Sequence, residues 1–146
     1  MLNERVVYLN GEYRPWDEAN VHIMSHSFGR GSAIFEVIGF HETPAGPAVF
    51  RLDEYVTRFR KSASLLEMEP PLTTGELHEA VLEAIRRNGL KSGVIKMMGF
   101  YPEIVLSILP SRKRFQVAIF VLDPAEDLEE TTQTDERGVT AVVSRW

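Results

Sequence analysis

At 146 residues the chain has the length of one ordinary domain, which buries roughly 70% of its unfolded surface and needs no covalent staples to hold a core. Its 44% hydrophobic and 25% charged content is that of a folded globular protein, and the absence of cysteine excludes disulfides, thiolate metal sites and a cysteine nucleophile. A net charge of -5 argues against nucleic acid as a partner, so a phosphate-bearing ligand has to be held by local arginines.

The N-terminus Met1-Leu2-Asn3-Glu4-Arg5 lacks the basic-then-apolar order of a signal peptide, and no apolar run approaches the roughly 18–20 residues that span a bilayer. A cytoplasmic protein without a membrane partner is expected. Val6-Val7-Tyr8-Leu9, Asn10-Gly11 and Glu12-Tyr13-Arg14 spell a short hairpin, because Asn-Gly supplies the positive φ angles of a tight turn. His22 and His26 stand four apart, the spacing of two imidazoles on one helical face. No glutamate follows the first histidine and no third ligand is evident, so hydrogen-bonded structural histidines are expected and no metal site is assigned. Gly29 and Gly31 permit a tight turn, but they precede a strand, whereas a dinucleotide fingerprint follows one.

Residues 34–40 are rich in β-branched and aromatic types, and with 47–50 beyond a Thr-Pro-Ala-Gly turn they predict a second hairpin. From Asp53, the expected N-cap, Tyr55, Phe59, Ser62, Ala63 and Leu66 recur at helical spacing until Pro70-Pro71 enforces a stop. Arg58 lies about 60° from Tyr55 around this helix, on the edge of its apolar face. Spacing alone assigns it to snorkelling over the core edge, with Arg60 and Lys61 further toward solvent. The basic stretches 58–61 and 112–114 read as a solvated helix face and a solvated turn.

A second helix opens with the capping-box spacing Thr73-Thr74-Gly75-Glu76, runs through Leu77, Ala80, Val81, Ala84 and Ile85, and ends at Asn88-Gly89. Three apolar stretches, 94–100, 104–109 and 115–122, predict strands, followed by an acidic surface loop or short helix at 123–137 and a further strand at 139–144. The sum is an α+β fold, a sheet of hairpins and returning strands with two helices on one face. The chain closes on Ser144-Arg145-Trp146 without the polar tail common at domain ends, from which we expect a cut and an exposed apolar patch. Spacing reveals no serine, histidine and acid arrangement.

Longer patterns carry more. The runs Tyr8-Leu9-Asn10-Gly11-Glu12, Trp16-Asp17-Glu18-Ala19-Asn20-Val21-His22-Ile23-Met24-Ser25-His26 and Gly31-Ser32-Ala33-Ile34-Phe35-Glu36 resemble the opening of branched-chain amino-acid aminotransferases. So do Gly46-Pro47-Ala48-Val49-Phe50-Arg51, the helix with Arg58-Phe59 and Ser62-Ala63, and Ile85-Arg86-Arg87-Asn88-Gly89-Leu90. The resemblance covers essentially the whole chain, in order. It implies a class IV, fold-type IV enzyme dependent on pyridoxal 5'-phosphate (PLP), acting on amino acids and 2-oxo acids as a homodimer. Residues 1–146 would be its small N-terminal domain, with PLP in the cleft to a larger C-terminal domain absent from this chain.

In that family the arginine matching Arg58 holds the PLP phosphate, the aromatic matching Phe35 lines the substrate pocket, and the position matching Lys96 faces the substrate in some members. Three positions depart from the pattern: Arg30 replaces a usual tyrosine, and Val37 and Gly39 replace a usual glycine and arginine. Arg30 is accordingly expected to pair with a substrate carboxylate. The resemblance also puts the lysine that anchors the cofactor and shuttles the proton shortly beyond the strand matching 139–144. None of Lys61, Lys91, Lys96 and Lys113 matches it, so no catalytic residue is assigned and the chain alone is expected not to transaminate. D-amino-acid aminotransferases and aminodeoxychorismate lyases share the same layout. A naturally short, non-catalytic dimerisation or ligand-binding protein is the alternative of a different class.

Overall fold

The computed structural model describes residues 2–110, 114–128, 138 and 140–143. Among these residues six strands form one sheet in the order β2-β1-β6-β5-β3-β4, with every neighbouring pair antiparallel. They are β1 (Val6–Leu9), β2 (Glu12–Pro15), β3 (Ile34–Thr43), β4 (Gly46–Val49), β5 (Gly93–Phe100) and β6 (Gln116–Leu122). Among the described residues four α-helices accompany them: α1 (His26–Arg30), α2 (Leu52–Leu65), α3 (Thr74–Asn88) and α4 (Pro124–Asp127). This is the α+β architecture expected. No helix among the described residues is long and apolar enough to cross a membrane.

Both hairpins form where turn chemistry allows. Asn10 and Gly11 take φ of 50° and 99°, closing β1 on β2 with Leu9 opposite Glu12. The second hairpin is longer than its composition suggested: β3 continues to Thr43, which pairs with Gly46 across Pro44-Ala45. The capping box of α3 is complete, since Thr73 Oγ1 accepts from Glu76 N at 3.2 Å and Glu76 Oε2 accepts from Thr73 N at 2.7 Å. Gly89 ends that helix.

The helix α2 starts differently. Its N-cap is Arg51, in the left-handed region at φ 50° and without a side-chain cap, so Asp53 sits inside the first turn rather than capping it. There its negative charge still favours the positive helix end. Arg60, expected to face solvent, folds back so that Nη1 donates to the Leu72 carbonyl at 2.6 Å and ties α2 to the segment leading into α3.

The two long helices cover one sheet face, α2 over β3 and α3 over β6 and β1. Period-two alternation sends Ile38, Phe40, Ile95, Met97, Val117, Ile119 and Val121 into that layer, where they meet Val56, Phe59, Leu77 and Val81. Gly99 makes room for the aromatic rings closing the layer's end. A Cβ there would lie 2.1 Å from Phe115 Cζ and 2.9 Å from Phe59 Cζ.

Among the described residues two predicted strands do not form. Because β5 and β6 pair directly, from Phe100 opposite Gln116 onward, residues 104–109 belong to their connection and find no sheet edge beyond one bridge, Ser25 to Ile104. Leu106, Ile108 and Leu109 are 76–81% exposed. Likewise 140–143 pair with neither outer strand, and Val142 and Val143 stand almost fully exposed. Apolar, β-branched composition describes a residue that suits a sheet and does not supply the partner that makes one. Of the expected 139–144 strand, Val139 and Ser144 lie outside the described residues, as do 129–137 of the acidic segment and 111–113 of the basic turn. What is described of the acidic segment includes α4, with Pro124 at its first position and Asp123 accepting from Ala125 N at 2.9 Å.

Candidate functional site

Alternation along β3 separates the expected site residues. Ile34, Glu36, Ile38 and Phe40 face the helices, and Phe35 and Val37 face the opposite, helix-free side. On that side Val37 pairs with Lys96 and Phe35 with Met98, and the Lys96 ammonium lies 5.1 Å from the Phe35 ring centroid. Phe35 is 60% exposed. Strands and the 19–28 segment enclose an apolar trough of about 440 Å³ on this face, floored by Met98, Ala118 and Phe120 and walled by Val21 and Phe28. Val21, Ile23, Met24 and Phe28 are among several large apolar side chains left in solvent nearby.

Arg30 belongs elsewhere. It ends α1, lines a separate recess of about 530 Å³ with Gly31, Ser32 and Tyr101, and donates from Nη2 to the Leu106 carbonyl at 2.7 Å. In the same region His26 is buried, with Nε2 donating to Ile108 O at 2.8 Å and Nδ1 2.9 Å from Ser32 Oγ. His22 precedes α1 and accepts from Met24 N at 3.0 Å. The two histidines therefore do not share a helical face, and each makes structural hydrogen bonds, as expected.

Arg58 emerges from α2 onto a third recess, of about 190 Å³, lined by Phe50, Arg51, Glu54, Tyr55 and itself. Its Nε donates to both oxygens of Glu36, at 2.9 and 3.0 Å, and its Nη2 to Oε2. The hydrogen bond to Glu36, then the charge of that carboxylate, raises the guanidinium pKa above its already high ordinary value. The Tyr55 ring lies beneath, 4.9 Å from the guanidinium carbon. Neighbouring Arg51 is answered by Glu54 at 3.0 Å, a bond that is the first cause of the Glu54 carboxyl being held below its usual range.

Among the described residues Arg58 Nη1 makes no hydrogen bond. A guanidinium with its inner edge fixed and its outer edge free, beside a second arginine and a phenol, fits the phosphate of PLP. The structure thus brings Phe35 and Lys96 together, while Arg30 and Arg58 line recesses that share no residue with each other or with the trough.

Two residues carry roles that the sequence patterns do not assign. Glu36 enters those patterns only as part of a motif, although a carboxylate in an inward row of Ile34, Ile38 and Phe40 is itself a signal. Asp127 falls in the expected surface segment, yet it is buried and Arg5 donates to it at 2.8 Å.

Residues 33–144 match the model of the amino-transferase class IV family. The branched-chain-amino-acid aminotransferase of Salmonella typhimurium is 32% identical, in a match covering 96% of this chain and 45% of that protein. Its counterpart from Pseudomonas aeruginosa is 32% identical over 78% of this chain and 37% of that protein. Among solved structures, the T.th. branched-chain amino acid aminotransferase complexed with N-(5'-phosphopyridoxyl)-L-glutamate superposes with a TM-score of 0.79 at 35% identity, over 86% of this chain and 42% of that one. The Escherichia coli enzyme gives 0.78 at 31%, over 82% and 41%. The chain spans less than half the length of these relatives. With a family model matched over most of its length and the fold of these enzymes' corresponding part, the chain belongs to the class IV aminotransferases.

Proposed function

We propose that this chain provides the phosphate clamp and one wall of the substrate pocket in a homodimeric PLP-dependent aminotransferase acting on amino acids and 2-oxo acids of the branched-chain type. Residues 1–146 are its N-terminal domain, and the lysine of the chemistry lies on a second domain. The observation that carries this is the Arg58 fork, open on one edge over a small recess. Phe35 and Lys96 supply apolar and cationic surface on the helix-free side, and Arg30, in a separate recess with Nη2 given to the Leu106 carbonyl, is left out of this pocket.

When bound, PLP supplies the electron sink for bond cleavage at the amino-acid α-carbon. The residues here bind and orient, with Arg58 fixing the phosphate end and the trough's apolar lining selecting aliphatic side chains. Equilibrium binding of PLP to the chain and to Arg58→Ala tests the clamp. Loss of this charge-assisted contact weakens binding by about tenfold or more. Equal affinity of the two proteins contradicts it.

A further inference from the structure

Glu36 is the charged side chain that β3 turns into the layer between sheet and helices. Its neighbours in that row, Ile34, Ile38 and Phe40, are apolar and buried, and Glu36 is itself 4% exposed. A carboxylate in such a place is unfavourable unless paired, and here one guanidinium takes both oxygens. The contact is one-sided, because the Glu36 side chain is 4% exposed and the Arg58 side chain 63%. Its buried end is fixed and its far edge meets the recess. A solvent-facing arginine ordinarily loses several side-chain rotors when it grips a ligand, and one already held in a planar fork has lost them beforehand. The Tyr55 ring limits tilting from below.

We propose that Glu36 is a positioning residue for the cofactor phosphate, holding Arg58 by Nε and Nη2 so that the Nη1 edge is presented to the ligand. This rests on Arg58 being the phosphate arginine. Positioning and competition predict opposite signs. A carboxylate that merely neutralised Arg58 would repel phosphate, and its removal would tighten binding; one that orients Arg58 weakens binding when removed.

The test measures the affinities of PLP and of pyridoxal, which lacks the phosphate, for the unsubstituted chain, Glu36→Gln, Arg58→Ala and the double variant. The ratio of the two affinities isolates the phosphate contribution. The unsubstituted chain should prefer PLP and Arg58→Ala should lose that preference. Glu36→Gln should reduce it by roughly tenfold, the lower end of losses seen when a ligand-binding group loses its outer partner. Pyridoxal affinity should not change, and the double variant should lose no more than Arg58→Ala. If Arg58→Ala loses the preference while Glu36→Gln keeps or increases it, the positioning role is overturned and the phosphate clamp stands. If Arg58→Ala keeps the preference, or the unsubstituted chain has none, both are overturned.

Should Glu36→Gln fail to fold, the unsubstituted chain still decides the matter. In ¹⁵N NMR the Arg58 Nε–H should exchange slowly with water before and after addition of inorganic phosphate, because Glu36 holds it in both states. Exchange as fast as that of an unbonded surface arginine overturns the proposal.

Discussion

Burial and pairing at single residues set two costs. At Gly99 an added methyl meets two aromatic rings, and only displacement of Phe115 and Phe59 can admit it. Gly99→Ala should therefore destabilise the chain by about 1–3 kcal/mol, read as a lowered urea midpoint at unchanged slope. Arg5 and Asp127 form a pair whose side chains are 10% and 0% exposed. Burial pushes the Asp127 carboxyl up, but its bond from Arg5 and the Asp123 backbone N–H outweigh this and leave it below its usual range. A lowered folded-state pKa contributes stability that is present above the unfolded value and lost as pH falls through the folded one. Arg5→Ala should thus cost about 3 kcal/mol at pH 7, the usual penalty for orphaning a buried charge, and progressively less as pH falls from the unfolded aspartate value, about 4, toward the lower folded one. Chemical denaturation at pH 7 and pH 3 checks both; an equal loss at the two pH values contradicts the ion pair. The partners stand 122 residues apart, and no local pattern announces their meeting.

Local pattern served best at the level of elements. The α3 helix could be read from its first residue to its last because every signal is local: Thr73 and Glu76 at capping spacing, an apolar stripe, and Asn88-Gly89 at the end. Thr73→Ala should lower stability by about 1 kcal/mol at neutral pH. Glu76 is held below its ordinary range first by the Thr73 backbone N–H, so its half of the box weakens as acid protonates it. Circular-dichroism melts should show the whole box contributing above about pH 5 and less below pH 4. For α2 the stripe of Tyr55, Phe59 and Ala63 was equally plain, but its start was not, since Arg51 in a left-handed conformation substitutes for a capping side chain. The 104–109 segment failed for the opposite reason. Its apolar residues satisfy the composition of a strand, and only knowledge that β5 and β6 pair directly removes the edge it would need.

On the scale of the whole molecule, alternation along β3 divides the candidate site residues between two faces. The helix face carries Glu36 and Arg58, and the open face carries Phe35 and Lys96. Family likeness in the sequence picked out Arg58, Phe35 and Lys96 but not this division, because a list of positions carries no face until strand register is known. Glu36 went unassigned for the same reason: its importance comes from what α2 lays over it. On the proposed function, this chain holds the cofactor's phosphate without carrying the lysine that reacts. Borohydride reduction of the purified 146-residue chain with PLP, followed by intact-mass analysis and an assay with branched-chain amino acids and 2-oxoglutarate, tests it most directly. No stoichiometric adduct on a single lysine and no turnover are the expected results. One adduct per chain on Lys61, Lys91, Lys96 or Lys113, accompanied by transamination, would contradict it.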